Sequence, residues 1–229
     1  MRRSLFLLSV IVFVSGCGLA DYEKKMAQTE SRLQRFEDES RVLDIPLSVP
    51  LRPAKKPGGK PTAFNLFLRP PKGINNTAEN EKEPRNRLLF SYRPRGRTAT
   101  GPFTLVELAI GDKETEFRAE VLGSFSGSGN TTSGTRTVRP PGREPLTFET
   151  TEFDDGQHFY SVNFWKNQTN QVAVVYWVAS AQKAAATRKG GPLEMSLETF
   201  GFGIDAVKQR ERASNPLEDV PTAPEKVRK

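Results

Sequence analysis

The chain has 229 residues, 36% hydrophobic and 27% charged, enough for one ordinary domain with flanking segments. Its single cysteine excludes an intrachain disulfide and a cysteine-based zinc site. Its single histidine, His158, argues against a histidine-ligated metal cluster and a Ser-His-Asp triad. The formal charge of +7 favours anionic surfaces as neighbours.

Arg2 and Arg3 precede a ten-residue, mostly apolar run from Leu5 to Val14. Ten residues are too few for a helix to span a bilayer, which takes ~20. A basic start and a short apolar run read as a secretory signal. Val14-Ser15-Gly16-Cys17 then resembles the lipobox of bacterial lipoproteins: an aliphatic residue, two small residues and cysteine. That resemblance implies a signal peptide over residues 1–16, cleavage before Cys17 and palmitate-type acylation of Cys17. The bilayer is then a partner through the acylated cysteine. The expected location is the cell envelope, and Gly18 after the cysteine favours the outer over the inner membrane. Loss of Arg2 and Arg3 leaves a moderately basic mature chain. For an exported protein, no nucleic-acid partner is expected.

Residues 17–44 read as the lipid attachment site followed by a short amphipathic helix. From Asp21 to Leu43 there is no Pro or Gly, and Tyr22, Met26, Thr29, Leu33, Phe36, Ser40 and Leu43 recur at spacings of four and three. Thr29 and Ser40 weaken the stripe. A solvated spacer helix that packs weakly, pairing with a second copy as a coiled coil and packing on the folded domain are the readings, while seven acids against five bases through Asp44 lack the basic face usual for resting on the membrane. Residues 45–87 carry seven prolines up to Pro71, and six bases with no acid up to Gly73, the pattern of a Pro/Lys-rich basic linker. One strand is expected in it, Ala63 to Leu68. An anionic polymer or lipid head group is one partner for this charge, and plain solvation is the other reading.

Residues 88–210 read as the globular part. Leu88–Tyr92 and Phe103–Ile110 are expected strands. Phe117, Ala119 and Val121 alternate with charged residues and predict another, paired with its predecessor as a hairpin. Gly123 to Pro145, rich in Gly, Ser, Thr and Asn, predicts a loop, functional or disordered. Phe148–Phe153, His158–Trp165 and Gln171–Val178 predict three more strands, the last covered on both faces. Ala179–Arg188 predicts a helix. Pro192 then opens a closing amphipathic helix with Leu193, Leu197, Phe200, Ile204 and Val207 as its stripe. Residues 211–229 read as a disordered tail.

Strands followed by helices specify an α+β fold, a mainly antiparallel sheet covered by C-terminal helices. This layout resembles the PsbP-type α/β/α sandwich over about half the chain, a likeness that implies a fold and carries over no functional residue.

Chemistry is sparse. Asp154 and Asp155 read as caps of a turn, and no Gly-x-Ser-x-Gly elbow is present. Arg136, Arg139 and Arg143 can fork onto an anionic partner or serve only as solubilising charge. Trp165 and Trp177, with Tyr160, Tyr176 and Phe164, can line a groove between sheet and helix or fill the core. No catalytic residue, metal or cofactor is expected. The expectation is therefore a non-enzymatic, anchored lipoprotein that presents a small domain to another envelope component. The alternative is a lipoprotein holding a small apolar or anionic molecule between sheet and helix.

Overall fold

The computed structural model describes residues 2–51, 64–74, 78–80, 87–92, 103–111, 114–125, 129–168 and 170–214. A compact body comprises Arg41–Arg210, and the flanking residues form a separate unit. The first helix, α1 (Arg2–Val42), runs unbroken through the lipobox positions. The lipobox side chains lie outside the described residues. Within α1 the ion pair Arg35–Glu39 (3.0 Å) and the Gln34–Asp38 hydrogen bond (3.2 Å) connect successive turns at the i,i+4 spacing that favours helix. The expected stripe is interrupted where Thr29 donates its hydroxyl to the Lys25 carbonyl. Its last member, Leu43, falls beyond the helix, bridged to Pro71 and buried in the body.

The body begins earlier than the sequence suggests. Strands β1 (Leu47–Leu51) and β2 (Phe64–Leu68) pair antiparallel inside the segment expected to be a linker with one strand. Pro50 is tolerated because β1 is an edge strand, where one side of the backbone needs no partner. Leu47, Leu66, Leu68 and Ile74 are buried in the main core, so the described parts of this stretch, residues 45–51 and 64–74, belong to the body, while the Lys-rich residues 52–63 lie outside the described residues.

A seven-stranded, antiparallel sheet follows. Its strands are β3 (Ala78–Asn80), β4 (Arg87–Tyr92), β5 (Phe103–Gly111), β6 (Asn130–Val138), β7 (Leu146–Asp154), β8 (His158–Lys166) and β9 (Gln171–Ala179). The spatial order is β3-β4-β5-β9-β8-β7-β6. As expected, β9 is central and covered on both faces. Val172, Val174, Tyr176 and Val178 face one core cluster, while Ala173, Val175 and Trp177 face another.

Two expectations fail between β5 and β7. The alternating segment at Phe117 is a helix, α2 (Glu114–Gly123), and no hairpin forms there. Phe117 and Val121 are four residues apart, a spacing shared by a helix face and a strand face; exposed Ala119 between them settles the matter. The expected Gly/Ser loop contains β6, paired with β7 over nine residues from Asn130↔Asp154 to Val138↔Leu146. Its side chains are polar and mostly exposed, so it lacks the apolar alternation that marks a half-buried strand. Gly134 and Thr135, within the expected loop, are ladder residues paired with Thr150 and Glu149.

After β9 come a 3₁₀ turn (Ser180–Gln182), α3 (Lys183–Thr187) and α4 (Pro192–Glu198), with Pro192 in the first turn as expected. The single closing helix does not form. α4 stops, β10 (Gly201–Phe202) pairs with the free edge of β2, and α5 (Ile204–Ser214) starts anew. A Cβ on Gly201 would lie 3.0 Å from the backbone of Ala206, so glycine suits this close turn. Gly203 supplies the positive φ of +64°. The stripe ends with Phe200, and Ile204 is exposed. The C-terminal helices thus lie beside the sheet in a mixed α+β fold. The expected tail beyond Ser214 lies outside the described residues.

Candidate functional site

The sheet face beneath α4 is mostly apolar, with a polar patch between apolar ends. Strand β8 sends Phe159, Ser161, Asn163 and Trp165 to this face, by strand alternation and the register of its neighbours. Ser161 and Asn163 are fully buried where apolar residues would suffice. Buried polar groups persist only when paired, and here they are. The Asn163 amide nitrogen donates to the Ser161 carbonyl (3.1 Å), the Ser161 hydroxyl (3.1 Å) and the Val174 carbonyl (3.2 Å). Its oxygen accepts from the Thr150 hydroxyl (3.2 Å) and from Arg136 (3.3 Å).

Arg136 reaches into this cluster from the edge strand β6. One nitrogen contacts Ser161 and Asn163, and the other pairs with Glu152 at 2.9 Å. Both partners are only about a quarter exposed, which gives the pair more weight than a surface ion pair. The cluster continues under α4. The Tyr176 hydroxyl donates to Ser196 (2.9 Å), which donates to the Arg69 carbonyl (2.6 Å), and the Arg69 N–H donates to Thr199 (2.8 Å). Complete burial pushes the Tyr176 hydroxyl's pKa well above its ordinary value, against opposing influences from Ser196 and Arg136.

A second cluster sits at the β7–β8 turn. Asp154 accepts from Ser180 (2.9 Å), Lys183 (2.9 Å) and the Gly156 N–H (3.1 Å). These partners, the Lys183 hydrogen bond first, hold its pKa below the usual carboxylate value. Lys183 also lies 4.6 Å from the Phe159 ring centroid. Asp155 caps the turn through the N–H groups of His158 and Gln157, which lower its pKa, and its carboxylate lies 3.6 Å from His158 Nδ1. The aspartates are turn caps, as the sequence suggests.

The expected binding residues do not converge. Arg143 grips the carbonyls of Glu198 (2.8 Å) and Phe200 (2.9 Å), closing the C-terminal end of α4. Arg139 is exposed. Trp165 packs on Phe200 and Phe202 on the α4 face, with ring centroids 5.3 and 5.5 Å away. Trp177 packs on Tyr160 (4.7 Å) and Phe125 (6.4 Å) on the opposite, α2 face. The two tryptophans therefore line no common groove. Of the five residues, only Arg136 joins the polar cluster.

Glu152, Thr150, Ser161, Asn163 and Ser196 were not singled out from the sequence. The available signal was a strand covered on both faces, β8, that nonetheless carries serine and asparagine on one face. Among the described residues there is no group of three or more His, Cys, Asp or Glu side chains placed to hold a metal. Among the same residues, no helix is long and apolar enough to cross a membrane. No protein-family model and no curated protein matches the sequence.

Proposed function

We propose that the protein is a non-catalytic lipoprotein of the cell envelope, held by an acylated Cys17, that presents its α+β body to another envelope component. The observation that carries this reading is the series Arg2-Arg3, the apolar run Leu5–Val14 and Val14-Ser15-Gly16-Cys17. Small residues at Ser15 and Gly16 give a peptidase access to the backbone, and Cys17 is the only thiol for a lipid donor. Each buried methylene contributes ~0.8 kcal/mol, so one chain binds reversibly and several bind stably. An outer-membrane position follows from Gly18 in this reading. The body supports a presenting role because its polar cluster is internally paired and organises sheet, edge strand and α4. A small ligand between sheet and helix is the weaker reading, since the aromatic groove it needed is divided between two faces.

Metabolic labelling with an alkyne-bearing palmitate analogue and intact-mass measurement test the anchor. The expected product begins at Cys17, carries acyl mass and sediments with membranes. Cys17→Ser abolishes label and anchoring. A chain that keeps its leader with a bare Cys17 thiol overturns the reading.

A further inference from the structure

We propose that β6 is a self-pairing edge, through which two copies of this chain join antiparallel, β6 to β6, and continue the sheet across a two-fold axis. An edge strand presents a row of unpaired N–H and C=O groups, and proteins usually blunt such edges. The two ends of this sheet differ. β3 is short, only three residues. β6 has nine residues, roughly 30 Å of strand, and its register with β7 is continuous, with no bulge. It contains no proline or lysine. Among the described residues, no strand pairs with its outer side.

Its side chains indicate what sits there. Asn130 to Thr135 are exposed on both faces of the sheet, so among the described residues no covering element blocks an added strand. The only charge on β6, Arg136, is already countered by Glu152 of the same chain. The edge thus offers no free charge to select a strongly acidic or basic partner, and a second copy meets it without like-charge repulsion. The Thr/Ser side chains are suited to pair with one another, as Thr137 already does with Thr147 across β6 and β7, hydroxyl to hydroxyl at 3.2 Å. Val138 is buried at one end of the strand. The axis therefore falls in the exposed half, among residues 131–135, where the two copies of Arg136 stay apart.

This proposal is independent of the lipid anchor, because the edge belongs to the folded body. The test is a cysteine scan of the full chain at Thr131, Thr132, Ser133, Gly134 and Thr135, one at a time, with exposed Ala185→Cys as control. Cells are treated with a thiol oxidant and dimers are read on non-reducing gels, with the unsubstituted chain giving the background from Cys17. A disulfide needs Cα atoms within about 7 Å, and strand residues advance ~3.4 Å each. On a two-fold axis a residue faces its own copy, so one scanned position should dimerise strongly and yield should fall about tenfold within two residues. Thermal midpoints matching the parent's confirm that these surface variants fold. A flat profile, equal crosslinking at Ala185→Cys, or adducts of another mass would each overturn self-pairing. A dimer held only through α1 also gives the flat profile.

Discussion

Tyr176 shows how a single hydroxyl can join a sheet to its cover. Its ring packs against Phe103 at 5.8 Å between centroids, and its oxygen meets Ser196 on α4. A neutral buried hydrogen bond contributes about 1 kcal/mol net, so Tyr176→Phe should lower stability by about that amount at neutral pH. The pH dependence follows from the raised pKa. The folded state keeps the phenol proton more tightly than the unfolded state does, so this stabilisation is complete below the ordinary tyrosine value of ~10 and lost as the pH rises above it. Urea midpoints of parent and Tyr176→Phe should accordingly converge from about pH 10 upward, while at neutral pH the parent stays ahead. A gap that persists unchanged into strong base would place the hydroxyl outside the stability balance. Asn163 belongs to the same logic, since its five contacts convert a polar residue in a covered strand into a junction for β6, β7, β8 and β9.

Elements were legible where burial pattern and geometry agree. β7, β8 and β9 stand within a residue or two of their expected bounds because apolar side chains recur at period two over a length that only strands combine with flanking turns. α2 was misread because Phe117 and Val121 satisfy either geometry, and β6 because a solvated edge strand needs no apolar face. The polar cluster was invisible for a related reason: Arg136 looks like a loop charge until β6 is known to pair with β7. The α2 assignment has a local test. A Cβ on Gly111 would run into the Phe117 ring, with the Phe117 Cγ at 2.7 Å and the Phe117 Cβ at 3.1 Å. Phe117 is buried against Phe164, so a simple ring swing does not relieve the contact. Gly111→Ala should therefore cost about 1–3 kcal/mol, in the range of overpacked cores, by displacing α2. Hydrogen exchange should show faster exchange at α2 amides while β8 and β9 keep their protection. Uniform acceleration across the sheet would mean that α2 does not move separately.

For the whole molecule, the point of greatest consequence is where the body starts. The Pro-rich segment reads as a leash up to residue 87, yet Leu43 bridges Pro71, the Asp44 N–H donates to the Pro70 carbonyl (2.8 Å) and the Lys72 N–H donates to the Val42 carbonyl (2.8 Å). Leu47, Leu66, Leu68 and Ile74 then complete the core under α4. Burying one such side chain contributes about 1.5–3 kcal/mol, so the four together approach the whole net stability of a typical domain, about 5–15 kcal/mol. A chain beginning at Leu88 should therefore show no cooperative thermal transition and should bind a hydrophobic dye, whereas one beginning at Arg41 should unfold in a single transition. Cooperative unfolding of the shorter chain would return β1 and β2 to the status of a docked tether. If the longer boundary holds, the spacer available to an anchor at Cys17 shrinks to residues 18–40. Residues 18–40 all belong to α1, so no Pro-rich stretch separates Cys17 from the start of the body.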